Sequence, residues 1–221
     1  MNIPSRRLAG ATALLAVITL PGNAYAKPIA FDDGTTVMGE YGAGTMNELQ
    51  LFHAPRYFYS LGGGYLELKS DIDARTRYIT YARVNYLVKR WNREAAQANV
   101  FAWGGAGSGR TGESNDRELT WNAGLQFDYE TRRVYASVKT DLYDSSAFSH
   151  RLDTLQLGLA PYKHDYEDLA TWFVIQGRRY TGEIHDGTEW ALLLRLFKGG
   201  AWVEAGATAD GKLQAMAMFN F

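Results

Sequence analysis

The sequence predicts an all-β fold, an antiparallel up-and-down β-barrel of about twelve strands, with ten strands as the alternative. Two observations favour this fold class. Apolar and polar residues alternate with a period of two over many stretches, as they do in half-buried strands. The chain is also rich in glycine (23), tyrosine (14), phenylalanine (10) and tryptophan (6), a combination typical of strands with aromatic faces.

The clearest strand is residues 118–130, ELTWNAGLQFDYE. Leu119, Trp121 and Phe127 fall on one face, and Asp128 falls on the other. A helix would scatter these residues around its axis. Applied along the chain, the alternation predicts strands at residues 35–42, 45–53, 57–69, 75–89, 97–107, 118–130, 132–144, 151–161, 169–180, 188–198, 201–209 and 212–221.

The predicted connections alternate between short and long. Short turns are expected near residues 55–56, 131–132 and 199–200. Longer polar connections are expected at residues 70–74, 108–117, 145–150 and 181–187. Short turns at one end and longer loops at the other are the plan of a transmembrane barrel, with both termini on the short-turn side and an even strand count.

Residues 1–26 have the pattern of a secretory signal peptide. Arg6 and Arg7 precede a short apolar run at residues 8–20, and Ala24-Tyr25-Ala26 fits the small-x-small rule for cleavage before Lys27. The alternative is an N-terminal membrane anchor, but the run is shorter than the roughly 20 residues of a spanning helix. We therefore expect an exported protein with one barrel domain over residues 27–221.

Charge balance and the absence of cysteine exclude several functions. The chain has 23 Lys+Arg against 24 Asp+Glu, so no basic stripe is available for a nucleic acid partner. Without cysteine there is no disulfide, no thiolate metal site and no cysteine nucleophile. No cofactor is expected.

A soluble sandwich or a lipocalin-like barrel would show the same alternation with its apolar face inward. Two features favour a membrane barrel instead. In several strands one face is almost wholly apolar and ends in Trp or Tyr, as in an aromatic girdle. The other face carries charges of both signs, which suits a polar lumen.

The C-terminal segment, residues 214–221, alternates hydrophobic residues and ends in Phe219-Asn220-Phe221. It resembles the last strand of Gram-negative outer-membrane β-barrel proteins. That resemblance implies that Phe219 and Phe221 form an assembly signal read by the barrel-assembly machinery. It also implies location in the outer membrane, among its lipids, after signal-peptide cleavage.

In that class the terminal Phe faces lipid, which places the opposite face of every strand in the lumen. Charges in hydrocarbon cost about 2–4 kcal/mol at mid-depth, so an inward direction is favoured for all of them. The predicted lumen-lining residues are Glu40, Glu48, Arg77, Arg83, Lys89, Gln126, Asp128, Lys139, Asp141, Arg178, Arg195 and Glu204. The predicted function is a narrow channel for small polar solutes or ions, and the alternative is a plugged structural or binding barrel of the envelope.

All four methionines after the initiator lie in the first two strands and the last one: Met38, Met46, Met216 and Met218. Barrel closure brings the last strand beside the first. Thioether sulfur is a soft ligand that suits Cu(I), so a methionine-lined path for copper or silver is a hypothesis. The alternative is that Met is a flexible gap-filler near the seam.

Enzymatic activity is a weaker alternative, and no catalytic residue is assigned. The four histidines are His53, His150, His164 and His185. His150 and His185 lie near Ser, Asp and Glu in predicted loops, yet no local motif sets a geometry, since G-x-S-x-G and H-E-x-x-H are absent. The glycine-rich run at residues 104–109 predicts a strand bend or loop entry rather than a phosphate cradle, because no helix pattern follows it. Loops 108–117 and 181–187 are the candidates for a binding module.

Overall fold

The computed structural model describes residues 29, 31–112, 114, 116–163 and 168–221. The expected signal peptide, residues 1–26, and His164 lie outside these residues. The described chain forms a closed barrel of twelve antiparallel strands, each paired with its neighbours in sequence. The predicted fold class is therefore confirmed, and the alternative of ten strands is wrong. No helix in the described part of the chain is long and apolar enough to cross a membrane.

The strands are β1 (Gly34–Gly42), β2 (Met46–Arg56), β3 (Tyr59–Lys69), β4 (Thr76–Arg93), β5 (Ala96–Thr111), β6 (Glu118–Thr131), β7 (Val134–Ser145), β8 (Ser149–Leu159), β9 (Ala170–Tyr180), β10 (Thr188–Lys198), β11 (Ala201–Thr208) and β12 (Leu213–Asn220). Most bounds match the sequence-based expectation within two or three residues. The largest differences are at the ends of β4 and β5, which each continue four residues beyond the expected positions 89 and 107.

The barrel closes where β1 pairs with β12. Thr36 faces Asn220 across this seam, and the Thr36 hydroxyl donates to Asn220 Oδ1 at 2.7 Å. Beyond the seam, Phe221 N–H donates to Thr35 O at 2.9 Å, so the C-terminal residue is tied to the first strand.

The start of β1 and the end of β12 lie at one rim of the barrel, which we call the terminal end; the opposite rim is the loop end. The turns between β2 and β3, β6 and β7, and β10 and β11 lie at the terminal end and are short, as expected, and the β4–β5 turn at the same end is short as well. The β8–β9 connection, residues 160–169, lies at the same end and is long. At the loop end the β1–β2 and β11–β12 turns are tight, so loop length separates the two rims only in part.

The two faces of the barrel have inverted polarity compared with a soluble protein. The outer face carries large apolar side chains such as Leu192 (68% exposed), Phe173 (60%) and Leu119 (60%). The inner face buries charged groups, among them Arg195 (3%) and Asp128 (1%). The exposed large apolar side chains therefore lie on the outside, while the interior holds buried charges together with buried apolar clusters.

One irregularity changes the direction of a predicted lumen residue. The β4–β5 ladder shifts register between Leu87 and Lys89, where Leu87 pairs with Phe101 and Lys89 with Val100. Because a one-residue shift moves every following side chain to the other face, Lys89 is exposed on the outside. Arg90 takes the inward position instead, and its Nε donates to Asn99 Oδ1 at 2.6 Å.

The glycine-rich run stays within β5. A Cβ at Gly105 would lie 2.0 Å from Ala82 O, and one at Gly107 would lie 1.9 Å from Thr80 O. The backbones of β4 and β5 approach too closely there for any side chain, which explains the glycines without a bound phosphate.

Candidate functional site

The barrel interior gathers most of the predicted lumen residues. Glu48, Arg77, Arg83, Asp128, Asp141, Arg178, Arg195 and Glu204 are buried on inward positions, and Glu40, Gln126 and Lys139 are partly buried there. Lys89 is the exception described above. These side chains come from eight different strands and pair with one another across the interior rather than projecting into bulk water.

A cavity of about 140 Å³ lies in the middle of the barrel and extends toward its terminal end. Its walls include Glu40, Lys139 and Arg178 among the charged groups, and Trp103 and Tyr135 among the aromatic ones. The space is large enough for several water molecules or one small solute. The mixture of charged, amide and aromatic walls suits a small polar molecule.

Arg83 forms the centre of the first interior network. Its Nη1 lies 3.5 Å from Asp141 Oδ1, and its Nη2 donates to Gln50 Oε1 at 3.1 Å. Asp141 also accepts from Trp103 Nε1 at 3.0 Å and pairs with Lys139 Nζ at 2.9 Å. The guanidinium lies 4.8–5.4 Å from the ring centres of Phe52, Tyr81 and Trp103. Aromatic faces and one shared carboxylate thus hold two cations against the cavity wall.

A second network is built around Arg195 on β10. Its Nε donates to Glu204 Oε1 at 2.7 Å, and both side chains are 3% exposed. Tyr135 and Trp202 cover the guanidinium from ring-centre distances of 4.3 and 4.2 Å. Arg195 Nη2 also donates to Gln156 Oε1 at 2.8 Å, which links this pair to the amides described next.

A ladder of glutamines crosses from β8 to β12. Gln156 Nε2 donates to Gln176 Oε1, and Gln176 Nε2 donates to Gln214 Oε1, both at 2.7 Å. Next to the ladder, the Arg178 guanidinium on β9 pairs with the Glu40 carboxylate on β1. Arg178 and Glu40 are four strands apart in the ring, so this ion pair reaches across part of the lumen.

Above the cavity a carboxylate joins opposite walls. The hydroxyl of Tyr81 on β4 donates to Glu48 Oε1 at 2.6 Å, and the hydroxyl of Tyr143 on β7 approaches the same oxygen at 3.4 Å. Because β2 and β7 are five strands apart in the ring of twelve, the Tyr143–Glu48 contact spans nearly the full width of the lumen.

An apolar plug closes the loop end over this carboxylate. We use that name for a cluster of buried side chains from strands on both sides of the barrel: Met46, Phe52, Leu66, Leu68, Ile79, Tyr81, Tyr143, Phe148, Leu152, Tyr180 and Ile184. Two members, Phe148 (8% exposed) and Ile184 (0%), come from loops rather than strands. The loops therefore place apolar side chains over the mouth of a polar interior.

Two of these loops meet above the plug, and we call their contact the cross-lumen bridge. Asp71 N–H donates to Ile184 O at 3.0 Å, and the Ser70 hydroxyl donates to Glu183 O at 2.6 Å. The His185 imidazole Nδ1 lies 2.5 Å from Asp71 Oδ2. The β3–β4 and β9–β10 loops are six strands apart in a ring of twelve, so they start from opposite sides of the rim.

The bridge is supported from below by an ion pair at the start of β4. Arg77 donates from Nη1 and Nη2 to the two carboxylate oxygens of Asp73, at 2.7 and 2.6 Å. These hydrogen bonds hold the pKa of the Asp73 carboxyl well below its usual range. Ser70 Oγ also accepts from the N–H groups of Ile72 and Asp73, so the loop is ordered from within.

Three of the four methionines come together at the seam. Met38, Met216 and Met218 line the cavity, whereas Met46 belongs to the apolar plug. In the described part of the chain, no three His, Cys, Asp or Glu side chains are arranged to hold a metal ion.

The histidines are dispersed. His53 lies at the terminal end, with Nδ1 3.2 Å from the Thr35 hydroxyl. His150 is buried under the bridge, and its ring stacks on Phe148 at 5.0 Å. The serines near His150 bond elsewhere, since Ser145 Oγ donates to Phe148 O and Ser146 Oγ to Glu118 Oε2. Ser, His and Asp side chains lie close together in these loops, but the two serine hydroxyls bond to partners other than His150.

Comparisons of the chain with protein-family models, with curated proteins and with solved structures found no significant match.

Proposed function

We propose that this chain is an outer-membrane β-barrel that passes small polar solutes through a narrow interior, and that its gate is the cross-lumen bridge, whose loop carries Ile184 into the apolar plug. The observation that carries the proposal is a cavity of about 140 Å³ with charged and amide side chains in its walls, inside a barrel that has an apolar outer face and is covered at one mouth by loops. A soluble carrier would have the opposite polarity.

The distribution of outward aromatic residues supports membrane insertion. Tyr41, Trp121 and Trp190 are exposed near the loop end, and Tyr86 and Tyr129 are exposed near the terminal end. Aliphatic side chains fill the outer face between the two groups, as with Leu192 and Leu194 on β10. Two aromatic belts around an aliphatic band match the two interfaces of a bilayer.

The contacts of the bridge fit a gate rather than a permanent wall. The cross-lumen bridge consists of a few hydrogen bonds, each of which contributes about 1 kcal/mol net, and it buries one isoleucine side chain, which contributes about 2 kcal/mol. The β9–β10 loop, residues 181–187, has left-handed backbone at Gly182 and Gly187, where glycine allows a sharp change of direction. If the closed state is more stable than the open state by a few kcal/mol of free energy, the open state is populated at roughly 0.1–10%.

Planar-bilayer recording tests the gate. The wild-type barrel should give rare, brief openings, and Ile184→Ala should raise the open probability at least tenfold because it removes the side chain that fills the mouth. Ile72→Ala is the matched control, since Ile72 lies in the opposite bridge loop but is 48% exposed. It should behave like the wild type.

A second candidate is a closed structural barrel, favoured by the Tyr143–Glu48 contact across the lumen and by the paired interior charges. Under that alternative neither the wild type nor Ile184→Ala would conduct. Outer-membrane fractionation followed by heat-modifiable migration on gels tests the location separately, and recovery in the soluble periplasm would contradict it.

A further inference from the structure

The barrel seam places three thioethers next to one another. Met38 and Met218 are direct partners in the β1–β12 ladder, and Met216 lies two residues before Met218 on the same face. Directly opposed residues have Cβ atoms about 5 Å apart, and residues two apart on a strand are separated by about 7 Å. A methionine side chain extends far enough beyond Cβ for three sulfur atoms on such a triangle to converge on one point.

The three residues differ in surroundings from the remaining methionine. Met46 is packed inside the apolar plug, where a flexible side chain fills an irregular gap. Met38, Met216 and Met218 line the central cavity instead, beside charged and amide side chains, and none of the apolar clusters formed by the described residues includes them. Gap-filling in an apolar core therefore accounts for Met46 but not for the three seam residues.

Carboxylates flank this group on both sides. Met216 faces Glu40 across the β1–β12 ladder and Glu204 across the β11–β12 ladder. Glu40 is paired with Arg178 and Glu204 with Arg195, so neither carboxylate is free to be a ligand. Their charge still offsets part of the repulsion that the two arginines exert on a bound cation.

We propose that Met38, Met216 and Met218 form a lumenal binding site for a soft monovalent cation, Cu(I) or Ag(I). A set of thioethers without imidazole, thiolate or free carboxylate selects soft monovalent ions over Zn²⁺, Ca²⁺ and Mg²⁺. The site lies on the wall of the cavity, so an ion that enters the lumen meets it directly. This inference does not depend on gating, since it concerns the wall and not the plug.

Silver binding to the refolded barrel in detergent tests the site, with Ag⁺ as a probe that needs no reductant. After desalting, elemental analysis should find one tightly held Ag⁺ per wild-type barrel. Met38→Leu and Met218→Leu should each weaken binding at least tenfold, and the triple Leu variant should abolish it. Met46→Leu is the matched control and should bind like the wild type.

Cu(I) competition against a chromogenic chelator should give the same order of affinities among the variants. Retention of heat-modifiable migration shows that each variant is folded; if the triple variant fails to fold, the two single variants carry the test. Equal silver binding by wild type and the Met38 and Met218 variants would overturn the proposal. So would displacement of the bound Ag⁺ by equimolar Zn²⁺.

Discussion

Asp71 and Ile184 meet over the mouth of the barrel, where the N–H of Asp71 donates to the carbonyl of Ile184 at 3.0 Å. Their loops leave the rim six strands apart in a ring of twelve. The contact therefore spans the lumen and carries the fully buried Ile184 side chain down into the apolar plug. This relationship closes the interior at the loop end, above the charged networks and the cavity.

Removal of one member of the Arg195–Glu204 pair should be strongly destabilising. Arg195→Ala leaves the Glu204 carboxylate buried with its ion-pair partner gone, and such changes cost about 3–5 kcal/mol. Urea unfolding of the refolded barrel, followed by tryptophan fluorescence, measures the loss. Arg179→Ala, at an exposed position on β9, should change the free energy of unfolding by less than about 0.5 kcal/mol. A wild-type unfolding curve for Arg195→Ala would contradict a buried ion pair between Arg195 and Glu204.

The Asp73–Arg77 pair should make the loop end sensitive to acid. The pKa of Asp73 is lower in the folded protein than in the unfolded chain, so its carboxylate stabilises the fold above the ordinary pKa of Asp. That contribution is lost as the pH falls through the lowered pKa. At pH 7, Asp73→Asn should reduce the free energy of unfolding by about 1 kcal/mol, a value limited by the partial exposure of the pair.

The difference between wild type and Asp73→Asn should shrink steadily when the same unfolding curves are measured at decreasing pH below about 4. Asp210→Asn is the control, because Asp210 is exposed and lies 4.0 Å from Lys212. It should leave both stability and its pH dependence unchanged. If the difference in free energy of unfolding between the wild type and Asp73→Asn grew as the pH fell, its sign would contradict this ion pair.

A charge in the outer band should be costly only at the middle of a strand. Leu192 lies on the outer face of β10, and Leu192→Arg in lipid vesicles should cost about 2–4 kcal/mol. Thr188→Arg, on the same face at the loop-end start of β10, should cost at most about 1 kcal/mol. Folding into vesicles, followed by gel mobility against urea concentration, gives both values. Equal costs at the two positions would argue against a bilayer around this band.

The strand pattern could be predicted from the sequence because a polar lumen and an apolar exterior impose strict alternation. The inward direction of residues such as Arg83 and Glu204 follows from that alternation together with the outward direction expected for the terminal Phe. The outward direction of Lys89 could not be predicted, because the register shift near Val88 leaves no mark in the period-two pattern. The full lengths of β4 and β5 were missed for a different reason, because Asn92-Arg93 and Gly107-Ser108-Gly109 are typical of strand ends rather than strand interiors.

The plug and the bridge could not be predicted, because they depend on which loops lie opposite each other after closure. Sequence order separates Asp71 from Ile184 by more than a hundred residues, and only the twelve-strand ring makes them neighbours. A signal did exist: Ile184 is an isolated apolar residue in a loop of Gly, Glu, His and Asp. Ile72 carries the same signal yet is exposed, so the pattern alone does not identify the plug residue.

The most direct test of the account is the conductance of a barrel whose bridge can be locked. The chain has no cysteine, so Asp71→Cys with His185→Cys introduces a single possible disulfide between two side chains that now touch. In planar bilayers the oxidised protein should be silent, and a thiol reductant should restore the rare openings of the wild type. Each single-cysteine variant should be insensitive to the reductant. Equal currents in the disulfide-linked and the reduced protein would contradict a gate formed by the cross-lumen bridge.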